Sequence, residues 1–191
     1  MPLHPFKFTL LTLFWPPGLW RRLRETPPDT AARVYRMALP VLIIGAVAHG
    51  VMLELLRPQP LGWTSPHVLG PVTRLLVLGG FGLWLGGWLC TRLSALMGYN
   101  DREERGLAVA AVGLVPLMAA FVLNPLPLPW GRVVLVAGVV WALVLMWVAA
   151  GILQGLPRNG RVAYLLCVAV GLTAALVAVG WPVVAVLPGG Y

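Results

Sequence analysis

Long apolar runs alternate with short polar breaks along this chain, and five of the runs, residues 37–56, 75–91, 106–123, 131–154 and 162–187, are long enough to cross a bilayer. A helix rises about 1.5 Å per residue and must cross roughly 30 Å of hydrocarbon, so about 17–25 apolar residues make a span. No charged side chain lies well inside any of the five. The polar remainder is too small to shield that much apolar surface from water. The pattern predicts an all-α, polytopic membrane protein, a bundle of five transmembrane helices. Residues 1–33 read as a separate interfacial amphipathic segment and residues 34–191 as the membrane domain.

In that first segment Phe8 to Trp15 is apolar but stops at Pro16-Pro17-Gly18, too short to span, and no small-residue cleavage site follows it. Trp20 stands beside Arg21, Arg22 and Arg24. Rings at the acyl boundary with guanidinium groups among anionic headgroups suit such a stretch, so these four residues are candidate lipid or partner contacts.

Composition agrees with the membrane reading: 59% of residues are hydrophobic and 10% charged, against about 25% charged in soluble domains. The net charge of +8 does not point to nucleic acid, because no compact basic domain exists to bind it. Its distribution is topological. Eleven of the fourteen Lys and Arg residues fall before the first span or in the second and fourth connections, leaving Arg57, Arg74 and Arg132 on the opposite side. The positive-inside rule then predicts a cytoplasmic amino terminus and an outer carboxyl terminus. In the second connection Arg102 and Arg105 extend the candidate cytoplasmic contact surface.

Little in the spans looks like chemistry. No HExxH, no phosphate-cradling glycine loop and no Ser/His/Asp arrangement occurs, and Asp101, Glu103 and Glu104 are interleaved with arginines that would neutralise a cation site. Cys90 and Cys167 read as small hydrophobes. No catalytic residue, cofactor or metal is expected. Three features stand out instead. Gly79, Gly82 and Gly86 form a small-residue surface in the second span suited to helix packing. His49 and Asn124 are polar groups at or inside the membrane, and an imidazole there either bonds a neighbouring carbonyl or serves a transport path. Pro116 predicts a kink in the third span.

The opening Leu13-Phe14-Trp15-Pro16 with Trp20, the approach Tyr35 to Pro40, Leu114-Val115-Pro116-Leu117 within the third span, and Gly151-Ile152 before a short polar turn follow one another in a recognisable order. In these motifs and in its five spans the chain resembles the Yip family of Ypt/Rab-interacting membrane proteins, above all its small bacterial inner-membrane branch. The resemblance implies a five-span bundle with a cytoplasmic amino terminus, a carboxyl terminus in the periplasm and, in eukaryotic members, a role in membrane trafficking with small GTPases. For the bacterial branch it implies no established activity. The expected function is that of a nonenzymatic inner-membrane protein acting through helix packing and through contacts with anionic lipid headgroups, a membrane-protein partner or a second copy of itself. The alternative is a small transporter or lipid-translocating protein, with His49, Asn124 and Pro116 near its path.

Overall fold

A computed structural model describes residues 31–56, 66–99 and 102–186, together with Thr12, Trp20 and Glu25. Five helices account for nearly all of them: α1 (Ala31–Leu55), α2 (Pro66–Leu96), α3 (Glu103–Leu123), α4 (Trp130–Leu153) and α5 (Arg158–Val186). All five are long and apolar enough to cross a membrane, and no strand occurs among the described residues. The amphipathic character expected of residues 1–33 concerns residues that mostly lie outside those described.

Each expected span falls inside its helix to within one residue at its end, but the helices begin earlier. The largest difference is in α2, which starts at Pro66, nine residues before the apolar run that begins at residue 75. Pro66 occupies the first helical position, where an amide has no partner to lose. Pro71 costs one further bond close to the helix start. At 31 residues α2 is about 46 Å long. That exceeds the roughly 30 Å of hydrocarbon and matches a bilayer with its headgroup layers. Hydropathy registers only the hydrocarbon part.

The helix ends on the other side are set by glycine. Gly98 has φ +77°. With it, the Tyr99 amide donates to the Ser94 carbonyl at 2.9 Å and the Gly98 amide to the Ala95 carbonyl at 2.9 Å, a Schellman closure that ends α2. Gly155, also at φ +77°, follows α4.

Helix α3 is the axis of the bundle. It packs against α1, α2 and α4, whereas α5 packs only against α2 and α4. Small residues make these approaches possible, as expected where lipid offers no hydrophobic drive and close contact must hold the helices. Met118 of α3 fills the space over Gly45, Met146 of α4 that over Gly113, and Leu107 of α3 that over Gly87. Ala120 lies directly on Gly138 of α4. On α1 the buried positions Val34, Met37, Ala38, Val41, Leu42, Gly45, Ala46, His49 and Gly50 recur at three- and four-residue spacing. His49 therefore faces the bundle.

A one-ended cavity between α3 and α5

Because α5 touches α2 and α4 but stands off α3, a space remains among these helices. It is a cavity of 710 Å³. Leu114, Leu117 and Met118 of α3 face Leu172 and Leu176 of α5 across it, and Gly79, Gly82 and Gly86 supply part of the α2 wall. Polar residues gather at one end: His49 of α1, His67 and Arg74 of α2, and Asn124 after α3. The rest is almost wholly aliphatic.

The polar end is built by helix termini. The last carbonyls of α3 lack partners within the helix. The Phe121 carbonyl accepts the Asn124 amide at 3.3 Å and His49 Nδ1–H at 2.6 Å. A carbonyl can only accept, which fixes the proton on Nδ1 and leaves Nε2 as the remaining polar atom of the ring.

The opposite end is closed by contact. A methyl added at Gly87 would come within 3.0 Å of Leu107 Cα, and one at Gly106 within 2.7 Å of the Thr91 amide nitrogen. Beyond that seam lies a polar knot. The Cys90 carbonyl accepts Gln154 Nε2 at 3.0 Å and the Tyr164 hydroxyl at 3.2 Å, both buried. Arg105 donates to the Leu153 carbonyl at 2.8 Å and so caps α4 from α3. Arg161 donates to the Leu156 carbonyl at 2.7 Å and lies against Gly151. Gln154 Oε1 and Ser94 Oγ are buried without partners.

These positions rearrange the sequence candidates. His49 and Asn124 share the cavity wall, while Pro116 does not line it and α3 runs through Pro116 unbroken, its carbonyl toward Gly138. Of the three glycines expected to pack helices, Gly79 lies directly under Leu42, but Gly82 is 3.7 Å from Leu176 at the place a methyl would occupy, and Gly86 is 3.4 Å from Ala110. The tight backbone seam runs instead through Gly87 and Gly106.

The contact surface also changes. Trp20 is 5% exposed and belongs to the core, so its ring is not a surface contact; amphipathic composition does not tell a ring at the interface from one folded under the bundle. Arg105 is engaged at α4, whereas Arg102 is exposed. Arg21, Arg22 and Arg24 lie outside the described residues. Sequence reasoning missed Gln154 and Tyr164. Gln154 was placed at the end of the fourth span, and no motif marks it or Tyr164.

Among the described residues no three His, Cys, Asp or Glu side chains come together as metal ligands. The family model for the Yip1 domain matches residues 10–180. The chain belongs to the Yip1 family. No curated protein and no solved structure matches it. The match runs from the amino-terminal segment to the second half of α5, so the cavity, the seam and the polar knot all lie within the Yip1 domain.

Proposed function

We propose that this Yip1-family protein is a nonenzymatic binding protein of the bacterial inner membrane that takes one lipid-like molecule into its helix bundle. The observation that carries this reading is the 710 Å³ cavity, aliphatic along its length and polar at one end. Sites for small molecules span about 300–1,000 Å³ and are mostly apolar with a few converging polar groups. The expected orientation puts the polar end outside and the amino terminus in the cytoplasm, from the eleven-to-three charge division. In this reading lipid contact lies in the interior; of the residues expected at the cytoplasmic surface, Trp20 is buried and Arg105 donates to the Leu153 carbonyl. Translocation across the membrane would require the Gly87–Gly106 seam to part, and the arrangement favours a holding role.

Filling the cavity tests the proposal. Gly82 has room for a side chain that projects past Leu176. Native mass spectrometry of the full chain purified in mild detergent is expected to show one retained lipid mass per protein, and Gly82→Phe is expected to lose it while keeping its helical circular dichroism. Retention of the same mass by folded Gly82→Phe would count against the cavity as the site.

A further inference from the structure

We infer that the part of α5 beyond Val168 is a movable wall, and that the guest is a lipid already resident in the bilayer, entering the cavity sideways between α4 and α5. This inference rests on the reading that the cavity holds a lipid-like guest and adds where that guest comes from. Helix α5 is fixed at one end only. Its buried side chains Tyr164, Leu165 and Val168 all lie near its start. From residue 169 to residue 183 no side chain is buried, and the two polar ones in that stretch, Thr173 and Trp181, are exposed. Hydrogen bonds hold the start: the Tyr164 hydroxyl donates to the Cys90 carbonyl of α2, and Arg161 to the Leu156 carbonyl in the turn before α5.

Packing distances follow the same gradient. A methyl added at Gly160 would stand 3.2 Å from Met97, at the end of α2, but one at Gly171 would stand 3.4 Å from Leu89 and one at Gly180 3.9 Å from Leu78. From the facing side, a methyl at Gly82 would stand 3.7 Å from Leu176. Elsewhere the approach is closer: 2.9 Å at Gly45, between α1 and α3, and 2.7 Å both at Gly87, between α2 and α3, and at Gly113, between α3 and α4. Where lipid supplies no hydrophobic drive, close contact holds helices together, so the loosest stretch moves at the least cost. A helix satisfies its own backbone and can shift in hydrocarbon without baring a polar group.

The edge beside it is open as well. No residue from 132 to 141 of α4 is buried, and there α4 leans on α3 through Gly138 and Ala120. Of the packed helix pairs, α4 and α5 share the slightest contact, and Arg161 against Gly151 belongs to the turn that joins them. Beyond that turn the cavity wall passes from Met146 of α4 to Leu172 and Leu176 of α5. The other routes are worse. The Gly87–Gly106 seam closes one end, and entry through water at the polar end would draw apolar methylenes out of apolar surroundings. A chain sliding between α4 and α5 exchanges one apolar medium for another.

The test pins α5 to α2 at two heights. In the full chain carrying Cys90→Ala and Cys167→Ala, the pair Leu78→Cys with Gly180→Cys, or the pair Met97→Cys with Gly160→Cys, is bridged by a short reducible dithiol reagent. Protein carrying its retained lipid is mixed with micelles of chain-deuterated phosphatidylethanolamine and phosphatidylglycerol in equal parts, and native mass spectrometry follows the gain in bound mass. The bridge between residues 78 and 180 is expected to abolish exchange over the time in which the unbridged chain completes it, and reduction to restore it. The bridge between residues 97 and 160 should leave the rate unchanged. Exchange that persists with the outer bridge, or that both bridges slow alike, overturns the movable wall and leaves the guest reading standing. If either pair fails to fold, spin labels at the exposed positions Val136 and Val177 report the α4 to α5 separation instead. Their distance distribution should narrow when lipid is added while that of labels at Val144 and Val162 stays fixed; no narrowing also overturns the wall. A chain that retains no lipid, or a folded Gly82→Phe that still retains it, removes the guest reading and this inference with it.

Discussion

His49 shows how much a single residue reveals and conceals. An imidazole within a span was visible as an exception, and its two possible roles could be stated. Its partner could not, because the Phe121 carbonyl lies 72 residues away and is open only because α3 ends there. His49→Ala is expected to cost about 1–2 kcal/mol, since one strong hydrogen bond is lost and a carbonyl is left partly unsatisfied. Thermal unfolding in detergent, followed by tryptophan fluorescence, measures this; no change in midpoint would mean the bond contributes nothing. Gln154 and Tyr164 were harder still to recognise. Both converge on the Cys90 carbonyl, and neither sits in a motif. The same scan on Tyr164→Phe should show a loss of about 0.5–1.5 kcal/mol, the one hydrogen bond to the Cys90 carbonyl, and an unchanged midpoint would mean that bond contributes nothing.

At the scale of the element, helix number and approximate position were legible because a bilayer imposes a minimum length on an apolar run. Starting points were less so, since α1, α2 and α5 continue beyond the hydrocarbon for up to nine residues. Small residues were legible as a class but their pairings were not: Gly82 and Gly87 lie in the same run, yet one faces a void and the other a backbone. That difference is measurable. Gly87→Val or Gly106→Val is expected to destabilise the bundle by about 1–3 kcal/mol through overpacking, whereas Gly82→Ala should be neutral. Equal losses at all three positions would contradict the seam and the void together.

Taken whole, the molecule has a tight half and an open half. Schellman closure, the Gly87–Gly106 seam and the Gln154–Tyr164–Cys90 knot hold the end predicted to be cytoplasmic. The other end keeps space between α3 and α5 and concentrates His49, Arg74 and Asn124 there. The five-helix bundle was readable in advance, but the cavity was not, because it arises from one pair of helices that fail to touch. Orientation is open to labelling: in a variant without Cys90 and Cys167, a cysteine at Tyr99 should react only after permeabilisation and one at Leu128 from outside, and the reverse pattern would invert the assignment. The central claim is that a lipid occupies the interior, and the most direct measurement places a photoreactive phenylalanine analogue at Leu117, on the cavity wall, and at Val136, 63% exposed on α4. After crosslinking in membranes, the Leu117 probe is expected to yield an adduct with one phospholipid class at near-stoichiometric level, and the Val136 probe a spread of adducts that mirrors bulk lipid. The same bulk spread at both positions, or no lipid adduct at Leu117, would contradict it.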